Sequence, residues 1–154
     1  MTDRYPMEAL LELMARLRDP ESGCPWDRQQ TYVTIVPHTI EEAYEVADAI
    51  ARKDWEELQA ELGDLLFQVV FHAQIAREEG RFDFAAVARG IVEKMTRRHP
   101  HVFGAESYAD AAEQAAAWER IKAAEAAKGT KQPTSVLDGV PLALPALTRA
   151  VKLQ

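Results

Sequence analysis

Apolar residues recur at helical spacing through most of the chain. Leu10, Leu13, Met14 and Leu17 share one face of a segment from about Pro6 to Leu17. Asp19-Pro20 ends it, because proline disfavours helix in the residue before it. Glu21 to Pro37, with Gly23, Pro25 and Pro37, reads as loop. Thr39 with Glu42 three residues on is a capping-box pattern that opens a second helix, and Asp54 with Glu57 opens a third. Two start signals so close together leave only a tight turn near Arg52 and Lys53, which predicts antiparallel neighbours. The third helix spans about 25 residues, roughly 37 Å. From Leu62 to Ala76 it is apolar on most sides, as a central buried helix would be. Gly63 costs that helix roughly 1 kcal/mol, which predicts close approach by a neighbour in return.

Gly80 ends the third helix and Asp83 caps a fourth, whose apolar face is Phe84, Val87, Ile91, Val92 and Met95. Pro100 stops it. Ser107 or Asp110 starts a fifth, alanine-rich helix that runs through Trp118 to about Lys128, with Gly129 as terminator. A Thr/Gln/Pro/Ser linker follows. The last segment, Leu142 to Gln154, has a helical pattern but no stop signal, so the natural polypeptide is expected to continue or a partner to complete this piece. The expected organisation is one domain over residues 1–128, then a linker and the start of a helix over 129–154. No stretch reads convincingly as a strand, so the fold class is all-α, an antiparallel helical bundle.

Composition narrows the function. A chain of 154 residues with 47% hydrophobic content can bury a real core. A net charge of −7 argues against nonspecific binding to nucleic acid or an anionic membrane. The single cysteine, Cys24, cannot form an internal disulfide, and Met1 is followed by acidic and polar residues instead of a secretory signal, so a cytoplasmic location is expected. Cys24 has no evident base near it, and the phosphate-cradling Gly-x-x-x-x-Gly-Lys pattern is absent.

Candidate chemistry concentrates in five carboxylates. Glu41, Glu42 and Glu45 lie on the second helix, Glu61 and Asp64 on the third. Glu45 and Glu61 are equally far from Lys53, and so are Glu42 and Asp64. Residues three or four apart share a helix face, so two helices folding back at Lys53 would bring four of these groups together as two stacked pairs. Like charges at 4 Å repel by about 4 kcal/mol at an effective dielectric of 20. Either some groups take up protons or a cation neutralises them, and all-oxygen ligands favour Mg²⁺, with Mn²⁺ a plausible substitute. Glu42 would then have to choose between ligand and helix cap. A solvated acidic face is the bland alternative. A di-iron bundle is a closer rival, but the Glu-x-x-His that class uses is replaced here by Glu61-x-x-Asp64.

Other residues carry two readings each. Lys94, Arg97 and Arg98 occupy about one turn at a helix end, where they can grip phosphate oxygens or simply suit a helix C-terminus. Trp26 is either a stacking platform or a core plug. Asp48 extends the Glu41–Glu45 face and either supports the ligands or is solvated. His99 and His101 have no matching Cys or His pair for zinc.

Several stretches together form a pattern. They are Gly23-Cys-Pro-Trp-Asp-Arg-Gln-Gln-Thr31, Glu41-Glu42-Ala-Tyr-Glu45 followed by Glu61-Leu-Gly-Asp64, Gly80-Arg-Phe-Asp-Phe84, Arg97-Arg-His-Pro-His-Val-Phe103 and Trp118-Glu-Arg-Ile-Lys122. In this order they resemble the MazG-type nucleoside triphosphate pyrophosphohydrolases, within the all-α superfamily that includes dimeric dUTPases. The resemblance implies a domain completed by dimerisation into a homodimer or higher homo-oligomer. It implies Mg²⁺-dependent cleavage of NTPs and dNTPs to monophosphate and pyrophosphate. Glu42, Glu45, Glu61 and Asp64 would hold the ions on a metal-binding helix pair, with Glu41 a ligand or water-orienting base. Trp118 and Lys122 would close over the nucleotide, or Trp118 would be a packing anchor. Several such proteins carry two domains in tandem with unequal activity, and this chain resembles the first. The alternative is therefore a regulatory or dimerisation half that binds metal and nucleotide without efficient turnover.

Overall fold

The computed structural model describes residues 6–128, 140 and 144–153, and among these residues there are eight helices and no strand. In order they are α1 (Pro6–Leu17), α2 (Pro25–Gln29), α3 (Tyr32–Arg52), α4 (Trp55–Glu78), α5 (Phe84–Arg98), α6 (Pro100–Phe103), α7 (Ala111–Lys128) and α8 (Ala146–Lys152). The chain divides into two compact units, Met1–Val92 and Glu93–Gln154, with α5 running from the first into the second. The expected linker over residues 129–139 and the Gly129 terminator lie outside the described residues.

The second expected helix starts earlier than its pattern suggested. Thr31 is the N-cap of α3: its side chain accepts from the Thr34 backbone N–H, and Thr34 Oγ1 accepts from the Thr31 N–H at 2.8 Å. Pro37 falls inside α3, where it forfeits one backbone bond in the second turn without breaking the helix. Part of the expected loop between Glu21 and Pro37 is therefore helical, as α2 and the start of α3. Thr39 is an interior residue whose hydroxyl donates to the Ile35 carbonyl at 3.2 Å, so Glu42 is released from any capping duty.

Lys53 closes α3 in the left-handed conformation, φ 57°, and its N–H returns to the carbonyls of Ala49 and Ile50. Asp54 then caps α4 through the Glu57 N–H at 3.1 Å. α3 packs along α4, with contacts in reversed order from the turn outward: Glu45 near Glu61, Thr39 near His72, Tyr32 near Glu79.

A small core forms where α1, α3 and α4 meet: Met14, Ile35, Val70, Phe71 and Ile75, flanked by Leu10, Leu11, Tyr32, Phe67 and Phe84. Arg18 locks its edge. Its guanidinium donates to both carboxylate oxygens of Glu78 and to the carbonyls of Asp27 and Gln30, and lies 5.3 Å from the centre of the Phe71 ring. The Asp19 carboxylate accepts from the N–H groups of Glu21 and Ser22, and Gly23 folds back so tightly that a Cβ there would meet the Leu17 and Asp19 carbonyl oxygens at 2.5 Å.

Burial in α4 is confined to its C-terminal half, from Gln68 to Ala76, and Leu62 is 50% exposed. The close approach expected at Gly63 is absent: among the described residues nothing lies within 4 Å of where its Cβ would be. α5 begins as expected, with Asp83 accepting from the Ala86 N–H, but it contains no buried residue, and Val87, Ile91 and Val92 are exposed. No helix among the described residues is long and apolar enough to cross a membrane.

Candidate functional site

The hairpin of α3 and α4 gathers acidic groups because helical phase repeats on both arms. Glu42 and Glu45 share a face of α3 at spacing three, and α4 presents Glu61 to them. One carboxylate oxygen from each of Glu42, Glu45 and Glu61 lies within 4.8 Å of the others. Glu42 and Glu61 are partly buried and Glu45 is exposed. Burial raises the pKa of Glu42, and the charges of Asp64 and Glu45 raise it further. Glu61 is also raised, by burial, by the charge of Glu45 and by a hydrogen bond with Glu57.

The remaining acidic residues surround this trio. Asp64 is exposed, outside the three converging oxygens but near enough for its charge to act on both Glu42 and Glu61. Glu41 points to His38, with Oε2 3.8 Å from Nδ1. Asp48 is bound by Arg52 at 2.7 Å. Glu57, read in the sequence only as the capping partner of Asp54, also neighbours Glu61, and its spacing of four on one helix is the signal that would have shown it. His72 is not among the converging groups. Its Nε2 is 3.2 Å from the Thr39 hydroxyl and its ring stacks on Tyr32, while burial lowers its pKa.

The basic residues lie in the second unit and form a cluster of their own. Lys94 is partly buried one turn before the end of α5. Arg97 Nε donates to Glu125 Oε1 at 2.6 Å, and Arg98 donates to Glu125 Oε2 through Nε at 3.0 Å and Nη2 at 2.7 Å. Trp118 is partly buried; the Arg98 guanidinium lies 5.3 Å from its ring centre and the His99 ring 5.1 Å away. Lys122 turns to the Glu119 carboxylate, at 3.0 and 3.1 Å. Glu125 carried no signal in the sequence, because its partners are 27 and 28 residues away. Trp26 is 53% exposed and meets His38 edge-on, so it does not plug the core.

Three carboxylates whose oxygens converge could hold a hard divalent ion. Charge, donor type and convergence all fit Mg²⁺ or Mn²⁺, while the absence of imidazole and thiolate from the trio disfavours softer metals.

Residues 30–103 match the model of the MazG nucleotide pyrophosphohydrolase domain, a stretch that contains all five carboxylates. The nucleoside triphosphate pyrophosphohydrolase of Escherichia coli strain K12 is 57% identical over 148 residues, covering 96% of this chain and 56% of that protein. The nucleoside triphosphate pyrophosphohydrolase/pyrophosphatase MazG of Thermotoga maritima is 48% identical over 147 residues, covering 96% of this chain and 54% of that protein. The chain thus spans about half the length of these curated relatives. The crystal structure of a mazG-related protein from Thermotoga maritima superimposes with a TM-score of 0.63 at 30% identity, covering 75% of this chain and 98% of that one. With that protein matched over nearly its whole length, and the acidic hairpin inside the matched domain, the chain belongs to the MazG family.

Proposed function

We propose that this chain is a Mg²⁺-dependent nucleoside triphosphate pyrophosphohydrolase, cleaving NTPs and dNTPs to the monophosphate and pyrophosphate. The observation that carries the reading is the convergence of Glu42, Glu45 and Glu61 within 4.8 Å. It is supported by the names of relatives that are 48–57% identical to it over 96% of its length.

In this reading Glu42, Glu45, Glu61 and Asp64 hold the ions. A bound divalent ion neutralises phosphate oxygens and makes water a better nucleophile at neutral pH. The chain's own residues do the rest. Glu41, exposed beside His38, orients the attacking water and takes its proton on a carboxylate oxygen. The water oxygen joins one phosphorus of the α–β anhydride as the bridging P–O bond breaks, and monophosphate and pyrophosphate leave. Lys94, Arg97 and Arg98 offer N–H donors to the phosphates, and Trp118 with Lys122 covers the nucleotide. The reading includes a homodimer, supported by Val87, Ile91 and Val92 of α5, which remain exposed in the single chain.

The test is a release assay for pyrophosphate and monophosphate with each NTP and dNTP, with Mg²⁺ and with EDTA. Mg²⁺-dependent release that is lost in Glu45→Ala and Asp64→Asn is the expected result. Near-wild-type release by either variant removes the metal-ligand assignment. Thermal stabilisation by Mg²⁺ and nucleotide without turnover favours a binding half over a hydrolase.

A further inference from the structure

Glu125 has no part in the acidic site, yet it makes the most fully hydrogen-bonded ion pair of the second unit. Arg97 and Arg98 are consecutive, so helical geometry sends their side chains about 100° apart around α5. One carboxylate from α7 draws them together, giving one oxygen to each. It takes the Nε edge of both. Each guanidinium carries five N–H donors in a fixed fork, so among the described residues Arg97 keeps both terminal amino groups and Arg98 keeps Nη1 without a partner. The indole of Trp118 covers one face of Arg98, and the His99 ring, tied by Nδ1 to the Met95 carbonyl at 2.6 Å, packs against that indole. Two cations against one anion leave the group with net positive charge, and Lys94 adds to it one turn back.

We propose that Glu125 is a positioning residue that holds Arg97 and Arg98 as a preorganised pair, with their free N–H groups available to the phosphates of the nucleotide. The proposal rests on the reading of these arginines as phosphate contacts. Glu125 has two opposing effects on an anion. Its charge repels, and its hydrogen bonds spare the nucleotide the cost of ordering two long side chains. Arg97 is 55% exposed, so solvent and salt screen the repulsion, whereas the short hydrogen bonds between Glu125 and the partly buried Arg98 are screened much less. Ordering therefore dominates at physiological ionic strength. Hydrogen bonds from Arg98 and then Arg97 hold the Glu125 carboxyl at a pKa of about 2, so it is ionised whenever nucleotide is present.

The experiment compares the wild-type chain with Glu125→Gln and Arg98→Ala at low salt and at 0.3 M KCl. Affinity for Mg²⁺ with α,β-methylene-ATP, which cannot be cleaved at the scissile position, is measured by calorimetry, and KM and kcat by pyrophosphate release from ATP. Glu125→Gln should weaken binding and raise KM by roughly five- to fiftyfold, the cost of ordering two side chains at binding instead of beforehand. The loss should persist at high salt, with kcat within about twofold of wild type. Wild-type or tighter binding by Glu125→Gln, beside a weakened Arg98→Ala, overturns the positioning role and leaves the arginine role standing. Wild-type binding by Arg98→Ala removes the arginine role, and the proposal with it.

Discussion

Replacing Glu42 by glutamine should make the metal-free protein more stable and its response to Mg²⁺ weaker. Glu42 has an oxygen within 4.8 Å of oxygens on two other carboxylates. At that distance one like-charge pair costs about 0.9 kcal/mol in a water-like medium and about 3.5 kcal/mol at an effective dielectric of 20. Glu42 is only partly buried, so screening places it near the lower value. Two such neighbours give a relief of about 1–2 kcal/mol on removing the charge. For a chain of this length that is a rise in Tm of about 2–8 °C in EDTA. Mg²⁺ should reverse the order. A ligand at a hundred times its dissociation constant stabilises the wild type by about 2.7 kcal/mol, and the variant, having lost a ligand oxygen, should gain far less.

Acidity supplies an independent check with the opposite sign from an ordinary paired carboxylate. Burial and the Asp64 and Glu45 charges raise the folded pKa of Glu42 above its usual 4.5. The native state therefore holds that proton more tightly than the unfolded chain does. Stability falls as pH rises from about 4.5 through the folded value. In EDTA, the advantage of Glu42→Gln over wild type should grow across that window. Differential scanning fluorimetry over pH, with EDTA and with MgCl₂, reads all three effects. A variant that melts below wild type in EDTA, or that keeps the full Mg²⁺ shift, would refute the electrostatic account of the cluster.

Arg18→Leu should lower stability by about 2–3 kcal/mol, because it strands Glu78 and two carbonyls that the 7%-exposed guanidinium now satisfies; urea unfolding showing under about 1 kcal/mol would contradict this. Gly23→Ala should cost roughly 2 kcal/mol or more, since its Cβ would press on two carbonyl oxygens. Gly63→Ala should instead raise stability by about 1 kcal/mol, the helix-propensity gain with open space around it, and a fall in Tm would mean that a second chain packs there. The stability difference between wild type and Glu125→Gln, read by urea unfolding, should hold steady above about pH 4.5 and shrink as pH falls toward 2, because the contribution of Glu125, whose pKa is depressed, is complete above 4.5 and lost through its folded pKa of about 2.

What the sequence made legible follows the range of each interaction. Asp54, Asp83 and Asp110 each accept the backbone N–H three residues on, a signal contained in one turn of chain, and all three helix starts were readable from it. The same signal misled at Thr39, because Thr31 caps through Thr34 in place of the usual Glu or Gln, and Pro37 disguised a helix already under way. The convergence of Glu42, Glu45 and Glu61 was readable although it joins two helices, because the turn between them is so short that spacing on each arm fixes what lies opposite; the expected fourth member, Asp64, lies outside the converging oxygens. No such short turn connects Arg98 to Glu125 or Arg18 to Glu78, and both were invisible. Periodicity likewise marked Val87, Ile91 and Val92 as an apolar face, yet they are exposed. A binary pattern says which side of a helix is apolar, and it carries no record of how far the fold covers that side. The acidic hairpin could therefore be derived from local rules alone. The distant pairs within each unit leave no such local mark, and only folded geometry resolves them.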